Sequence, residues 1–191
     1  MNIRTMTPGD EFRAIDTIAL AFAADPMTRW VWPSAYEYLS VMQSFVRAFG
    51  GAAFANDGAF CSDQYAGAAL WLAPGVHADE AKLGELMETT ASPAAREAGP
   101  AIFEQMATYH PKEPHWYLPL IGVDPAHQGK GHGDALMRYA LARFDRERLP
   151  AYLESTNPRN ISLYRRHGFE ELGTIQAGSS PTLVPMLRRA S

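Results

Sequence analysis

The fold is decided by the stretch Val123-Asp124-Pro125-Ala126-His127-Gln128-Gly129-Lys130-Gly131-His132-Gly133, where a strand gives way to a helix. Residues 115–123 form an apolar run short enough to be a buried strand, and helical spacing of apolar residues follows over 133–147. Three alternate glycines at the junction allow positive φ and a close approach of the backbone to a ligand. A helix start adds unpaired N–H groups and the positive end of the helix dipole. The stretch therefore predicts a binding site for phosphate.

Two common nucleotide-binding motifs do not fit this stretch. The dinucleotide fingerprint would need its third glycine where Asp134 stands. A Walker loop would need Lys-Ser or Lys-Thr after its second glycine. In this chain Gly129 is followed by Lys130 and Gly131, and Gly131 is followed by His132, so neither glycine fits. On glycine content alone, an ordinary glycine-rich loop is the alternative interpretation.

The rest of the chain alternates strand and helix signals. Periodicity and turn residues predict a strand at 2–6, a helix at 11–24 ended by Asp25-Pro26, a hairpin of 58–63 and 67–72, a strand at 151–154, a helix from Asn157-Pro158 to Gly168, and two strands within 170–187. Two or three helices fit the Ala- and Glu-rich residues between the hairpin and residue 115. Pro119 marks a strand edge, a strand start or a bulge, because proline cannot donate to a ladder. The predicted fold class is mixed α/β.

Composition limits the class of protein. The 191 residues carry Lys+Arg 17 against Asp+Glu 21, a net charge of −4, so a nucleic-acid-binding surface is not expected. The length and a hydrophobic content of 47% suit one globular domain spanning 1–191. No run approaches the ~20 apolar residues of a membrane-spanning helix. The single cysteine, Cys61, excludes an internal disulfide and a multi-cysteine zinc site, which favours a reducing, cytoplasmic location.

Two motifs resemble those of the GNAT superfamily of acyl-CoA N-acetyltransferases. Residues 128–133 are similar to its Gln/Arg-x-x-Gly-x-Gly/Ala motif, matched here by Gln128, Gly131 and Gly133. Residues 157–169 are similar to its second signature, in which an Asn precedes by seven residues the Tyr of a Leu-Tyr-x-x-x-Gly-Phe run. The sequence after the fifth strand and the long helical insert look most similar to the puromycin N-acetyltransferase-like branch.

The resemblance implies both a fold and a donor. The fold would be a central mixed, mostly antiparallel sheet of six to seven strands with splayed fourth and fifth strands, helices on both faces, and a helical insert between the third and fourth strands. The donor would be acetyl-CoA, with its pyrophosphate on the amides of the glycine-rich loop and its pantetheine arm along the fourth strand. The cofactor-binding residues implied are Leu120, Ile121, Gly122, Val123, Gln128, Gly129, Lys130, Gly131, His132, Gly133, Asn157, Asn160 and Tyr164.

Amine acetylation needs a base for the amine and an acid for the departing thiolate. An alkylammonium with a pKa near 10.4 is almost fully protonated at neutral pH, so a base or a desolvating pocket helps. By resemblance Tyr164 is the acid, and its alternative role is an apolar helix contact. Glu154, at the end of the fifth strand, and His115, at the start of the fourth, compete as the base, each with a structural polar role as the alternative. The alternative role of Asn157 is helix capping.

The predicted function is acetylation of a small-molecule primary amine by direct attack on acetyl-CoA through a tetrahedral intermediate. A protein or peptide N-acetyltransferase, a non-catalytic acyl-CoA-binding module and a nucleotide-binding domain are the alternatives. No metal is expected, because His110 and His115 lack an acidic or Cys partner at ligand spacing. We expect no nucleic-acid or membrane partner and a monomer or homodimer. The aromatic residues of 30–54 either pack the core or wall the acceptor pocket.

Overall fold

The structure is a computed structural model, which describes residues 1–190. Its centre is a seven-stranded sheet in the order β1-β2-β3-β4-β5-β7-β6. All neighbouring strands pair antiparallel except β4 and β5, which are parallel. This confirms the mixed, mostly antiparallel sheet predicted above. The strands are β1 (Ile3–Thr5), β2 (Ala59–Ser62), β3 (Gly67–Leu72), β4 (Trp116–Val123), β5 (Ala151–Ser155), β6 (Glu170–Glu171) and β7 (Val184–Arg188).

Helices cover both faces of the sheet, as predicted. They are α1 (Glu11–Ala21), α2 (Pro26–Val31), α3 (Ala35–Gly50), α4 (Glu80–Thr90), α5 (Pro93–Tyr109), α6 (His132–Glu147) and α7 (Ile161–Arg166). On one face, α1 and α3 bury Ile15, Ile18 and Val46 against the sheet. On the other, Phe144 of α6 stacks on Trp116, with 4.4 Å between the ring centroids. The predicted insert between β3 and β4 consists of α4 and α5.

The parallel ladder between β4 and β5 is short. The strands pair at Trp116–Ala151 and Tyr117–Tyr152, and at no later position within residues 1–190. Beyond these pairs β4 keeps only β3 beside it, and β5 keeps only β7. The predicted splay is therefore present, and one edge of each strand is left without a ladder partner. We call the space between residues 118–123 and 153–155 the strand gap.

Pro119 lies in a β-bulge. β3 pairs with β4 at Leu70–Leu120 and next at Leu72–Tyr117, so β4 advances three residues while β3 advances two. The extra residue changes which face the side chains reach. Tyr117 and Leu120 consequently both pack on the α1/α3 face, while Leu118 packs on the α6 face. The bulge therefore turns Tyr117 towards the helices of the insert.

The first helix is shorter than the sequence predicts. The helix expected over 11–24 ends at Ala21, and Asp25 begins a new helix as the N-cap of α2. The interpretation of Asp25-Pro26 as a helix end is therefore wrong. A carboxylate N-cap followed by proline at the first helical position favours a helix start. Phe12 shares helical spacing with the buried residues Ile15 and Ile18, yet it is 62% exposed.

Candidate functional site

The glycine loop, residues 128–133, joins the end of β4 to the start of α6. Gly129 and Gly131 have φ of +73° and +88°, values that strain any residue with a Cβ. Gly131 is the N-cap of α6 and makes no side-chain hydrogen bond to the helix. A Cβ added at either glycine would meet no atom within 4 Å. The space in front of the helix is therefore open.

The main-chain amides of this loop are available to a ligand. Those of residues 129–134 donate to no group within residues 1–190. Two side chains brace the loop instead: Gln128 Nε2 donates to Val123 O at 3.2 Å, and Lys130 Nζ donates to Ala126 O at 2.8 Å. Free amides at the N-terminus of a 16-residue helix favour an anion.

The last two loop residues, His132 and Gly133, have structural roles. His132 is buried, and its Nδ1 lies 2.9 Å from Ser62 Oγ. A Cβ at Gly133 would lie 3.4 Å from Leu163 Cδ2, so α6 and α7 approach closely there. Both residues can therefore reach a ligand in front of the helix only through their main chain.

The four β4 residues predicted to follow the pantetheine arm lie along the strand gap. Each is paired with β3 by one edge, and the other edge has no ladder partner within residues 1–190. Gly122 keeps its register with Ala68, so it does not interrupt the ladder. Glycine is required at this position because a Cβ would lie 2.7 Å from Ala21 Cβ and 3.2 Å from Ile18 Cα. Glycine therefore lets α1 pack directly on β4. The residues are Leu120, Ile121, Gly122 and Val123.

Tyr164 lies on α7, on the α6 face of the sheet. Its ring is buried, with its centroid 6.2 Å from that of Phe169, and its hydroxyl has no hydrogen bond within residues 1–190. Burial first, and then the charge of Asp25, raise the pKa of the phenol above its usual value. Tyr164 therefore keeps its proton throughout the neutral range.

Asp25 ties α2 to the end of β5. Its Oδ2 accepts a hydrogen bond from Thr156 Oγ1 at 2.7 Å, and its Oδ1 accepts from the amides of Met27 and Thr28. Burial raises the pKa of this carboxyl, and these hydrogen bonds oppose the rise. No sequence pattern marks Asp25 as a site residue. The Asp-Pro pair signals a cap, but no local pattern signals a partner 131 residues away.

Glu154 lies at the strand gap, and its Oε1 is buried without a hydrogen-bond partner within residues 1–190. Burial raises the pKa of this carboxyl to about 7, and the nearby phenols of Tyr117 and Tyr152 oppose the rise. The Tyr152 hydroxyl is also buried without a partner, so its geometry falls short of a hydrogen bond to the carboxyl. A carboxyl that titrates near neutral pH suits a general base. The sequence patterns indicate Glu154 but neither tyrosine.

His115 lies at the joined end of β4 and β5. Its Nδ1 is 2.8 Å from Glu113 O, and its Nε2 is 3.1 Å from His110 Nε2. Both imidazoles, with His77, line a cleft of about 1120 Å³ between the insert and the sheet. Burial, followed by the neighbouring His115 and His77, lowers the pKa of His110 to about 4. The structure thus groups His115 with His110, and Glu154 is the base candidate that lies in the gap itself.

The two asparagines lie between β5 and α7. Asn157 Oδ1 accepts from Arg159 N at 3.1 Å and caps the 3₁₀ turn over Pro158–Asn160, so the capping role given above as its alternative is present. Asn160 is exposed, and its side chain makes no capping bond to α7. A contact of either residue with the acyl donor stays a prediction.

A mostly apolar cavity of about 140 Å³ opens at the strand gap on the α1/α3 face. The strands contribute Tyr117, Pro119, Leu120 and Glu154 to its wall, and Thr156 follows directly after β5. Most of the remaining wall is aromatic or methionine, and we call this space the aromatic cavity. These side chains are Phe22, Met27, Trp30, Trp32, Phe45, Phe49, Met87, Phe103 and Met106.

The aromatic segment 30–54 thus divides between the two roles considered above. Tyr38 and Phe54 pack in the core, whereas Trp30 and Phe45 line the aromatic cavity. Tyr36 has neither role, because it is 83% exposed. Within residues 1–190 no three His, Cys, Asp or Glu side chains are grouped to hold a metal ion, and no helix has the length and apolarity to cross a membrane.

The described residues offer three kinds of chemistry around the splayed strands. Free amides at the glycine loop can hold an anion. Glu154 on the α1/α3 face can accept a proton, and Tyr164 on the opposite face can donate one. The aromatic cavity beside Glu154 can hold an apolar molecule.

A family model described as "Acetyltransferase (GNAT) family" matches residues 24–169, which include both motifs. An uncharacterized N-acetyltransferase of Schizosaccharomyces pombe is 35% identical over 71 residues, which are 37% of this chain and 29% of that relative. Mycothiol acetyltransferase of Acidothermus cellulolyticus is 40% identical over 68 residues, which are 34% of this chain and 21% of that relative. The chain thus spans less than a third of each curated relative.

Solved structures share the fold over the whole chain. A crystal structure from Corynebacterium glutamicum, described as histone acetyltransferase HPA2 and related acetyltransferase, has a TM-score of 0.68 and 24% identity. The match covers 100% of this chain and 96% of that one. This likeness concerns the fold alone.

Proposed function

The chain belongs to the acetyltransferase (GNAT) family, and from this we propose that it transfers an acetyl group from acetyl-CoA to a primary amine of a small molecule. The transfer would proceed by direct attack of the amine through a tetrahedral intermediate. One observation supports this most strongly: the buried, unpartnered carboxyl oxygen of Glu154 lies where an apolar cavity opens at the strand gap. Such a carboxyl suits an amine that must lose a proton.

The residues at the strand gap fit acetyl-CoA, the acetyl donor. The free amides of the glycine loop would hold its pyrophosphate, and the unpaired edge of β4 would hold its pantetheine arm. When bound, acetyl-CoA supplies the thioester whose carbonyl carbon accepts the amine. We retain Asn157 and Asn160 as further donor contacts.

Glu154 would take the proton from the incoming amine. An alkylammonium has a pKa near 10.4, so at neutral pH most of the acceptor arrives charged. The carboxyl of Glu154, with a pKa of about 7, is partly ionised there and can accept a proton directly or through a water. His115 remains the second candidate, through its contact with His110 in the adjoining cleft.

Tyr164 would supply a proton to the leaving sulfur. Its raised pKa keeps the phenol protonated, so the O–H is available as negative charge develops on the thiolate. Its hydroxyl has no hydrogen-bond partner within residues 1–190, which leaves it free for this task. The acid and the base would thus lie on opposite faces of the gap.

The shape of the cavity favours a small acceptor over a peptide. A peptide needs an open groove, whereas the aromatic cavity is walled by α2, α3, α4 and α5. A non-catalytic acyl-CoA-binding module would need neither a free phenol nor an ionisable carboxyl at the gap. The similarity to the puromycin N-acetyltransferase-like branch stays a prediction.

The direct test is consumption of acetyl-CoA in the presence of a panel of amines. The panel contains aminonucleoside antibiotics, polyamines, simple alkyl and aryl amines, amino acids and peptides, and the readout is release of free thiol. We expect turnover with at least one small amine. Turnover with peptides alone would contradict the proposed acceptor, and binding of acetyl-CoA without turnover of any amine would favour the binding module.

Gly131→Ala is expected to weaken acetyl-CoA binding about tenfold. Alanine at a φ of +88° strains the backbone by about 1–2 kcal/mol, so the loop moves and its amides lose their common direction. Isothermal titration with acetyl-CoA measures the effect.

Gly75→Ala is the matched control, because Gly75 has a φ of +78° and equally open surroundings but lies outside the glycine loop. It should lose a similar amount of stability and keep the affinity for acetyl-CoA. Unchanged affinity in the Gly131→Ala protein would contradict the role of the loop.

A further inference from the structure

We infer that the acceptor is a monoamine whose amino group is attached, through a short link, to a single six-membered apolar ring. This inference rests on the proposed function and names its substrate class. It follows from three properties of the aromatic cavity: the polarity of its wall, its charge and its size.

The polar atoms in the cavity wall are mostly satisfied by the protein. Trp30 Nε1 donates to Ser179 Oγ at 3.2 Å, and Trp32 Nε1 donates to Thr90 Oγ1 at 2.9 Å. Thr28 Oγ1 donates to Phe22 O at 2.9 Å, and Thr156 Oγ1 donates to Asp25 Oδ2 at 2.7 Å. Both indoles therefore present ring surface, and both hydroxyl hydrogens are already engaged. A hydroxylated or otherwise polar acceptor would lose its hydration without finding these partners.

The cavity has one charged group. Glu154 is the only Asp, Glu, Lys, Arg or His among its lining residues within the described chain. Its buried Oε1 has no partner there, so a single ammonium would satisfy it. A second ammonium would be desolvated without a counter-charge, and a carboxylate would meet no cation. These charges disfavour polyamines and amino acids.

The size of the cavity matches one ring. Its volume is about 140 Å³, and an apolar cavity of ~150 Å³ in another protein is known to bind benzene. A ring of this size can contact the aromatic and methionine side chains of the wall while its aminoalkyl arm reaches Glu154. Offset and edge-to-face ring contacts would add to the burial of apolar area.

Matched amines test the inference. We expect β-phenylethylamine to be turned over with a kcat/KM that exceeds those of ethylamine, phenylalanine and putrescine by about tenfold or more each. The comparison with ethylamine isolates the ring and that with phenylalanine isolates the added carboxylate, whereas putrescine tests a second ammonium in the absence of a ring. A higher kcat/KM with the diamine or the amino acid would overturn the inference and leave the proposed function standing.

Gly99→Leu tests whether this cavity provides the selectivity. Gly99 lies on α5, lines the cavity and is buried, and a Cβ there meets no atom within 4 Å, so a larger side chain grows into the open space. Leucine also favours the helix more than glycine does. We expect kcat/KM with β-phenylethylamine to fall about tenfold or more and that with ethylamine to change less than about threefold. Equal changes for both amines would overturn the inference.

Ala101→Leu serves as the control. Ala101 lies on the same helix, but it is exposed and lines neither the aromatic cavity nor the adjoining cleft. The ring preference should be unchanged in this variant. Thermal unfolding of both variants shows whether the fold is retained.

Binding measured without turnover separates this inference from the proposed function. Trp30 and Trp32 line the cavity, so their fluorescence reports an amine bound there. If no amine consumes acetyl-CoA, tighter binding of β-phenylethylamine than of ethylamine still supports the assigned cavity, while the proposed function fails. Equal binding of the two amines overturns the inference whether or not turnover occurs.

Discussion

Tyr164→Phe is expected to lower kcat by about 10²–10⁴-fold while leaving the affinity for acetyl-CoA within about twofold. The substitution removes only the hydroxyl of a buried ring whose O–H has no partner in the described chain, so neither packing nor an internal hydrogen bond is lost. The departing thiolate would then leave without a proton donor. Thiol-release kinetics gives kcat, and titration with acetyl-CoA gives the affinity.

Tyr36→Phe is the matched control, since Tyr36 is 83% exposed on α3 and outside both the strand gap and the aromatic cavity. Its kcat should equal that of the unmodified protein. If Tyr164→Phe reduces affinity and kcat by the same factor, Tyr164 has a binding or structural role.

Glu154→Gln is expected to lower kcat/KM by about 10²–10⁴-fold and to change its dependence on pH. With a pKa of about 7, Glu154 becomes an effective base as the pH rises through that value. The kcat/KM of the unmodified protein should therefore rise with pH up to about 7 and level off above it. The rise should be absent in the variant. If the pH profile of the variant keeps this rise, Glu154 is not the base, and His115 is the remaining candidate.

Glu154→Gln, which should lower kcat/KM, should raise the free energy of unfolding at neutral and alkaline pH. The folded-state pKa of about 7 lies above the ordinary value of 4.5, so between these values the folded protein holds a proton that the unfolded chain has released. The free energy of unfolding therefore falls as pH rises through this window, by up to about 3 kcal/mol from this group. Glutamine does not titrate, so Glu154→Gln removes this dependence on pH. In urea unfolding, the free energy of unfolding of the variant minus that of the unmodified protein should be larger at about pH 8 than at about pH 5.

Glu97→Gln controls for a change of charge alone, because Glu97 is exposed on α5. Neither its pH profile nor the pH dependence of its stability should differ from those of the unmodified protein. An identical pH dependence of unfolding in Glu154→Gln and the unmodified protein would contradict a buried, titrating Glu154.

The loop and the secondary structure were readable from sequence because their signals are local. Alternate glycines before a helical repeat predicted the positive φ of Gly129 and Gly131, and the hairpin over β2 and β3 follows its turn residues. The same local rules placed Pro119 at an irregularity of β4. They failed at Asp25, because an aspartate before proline can cap the next helix as well as follow the previous one.

The environment of each candidate catalytic group could not be derived in this way. Glu154 and His115 were equal candidates in the sequence, since each stands at one end of a strand. The bulge and the short β4–β5 ladder decide that Glu154 lies in the gap and His115 beside His110. Burial, which sets the pKa of Glu154, depends on residues from four helices.

The sequence by itself determined the order of elements, the free amides of the glycine loop and the presence of a tyrosine on the helix after β5, because φ preferences and periodicity act between residues close in the chain. Tertiary structure alone decided that a carboxyl with one unpartnered oxygen lines a cavity of aromatic rings and that Asp25 accepts a hydrogen bond from Thr156. Desolvation and electrostatic interaction depend on distances in space, and these distances exist only once the sheet and the insert have packed together.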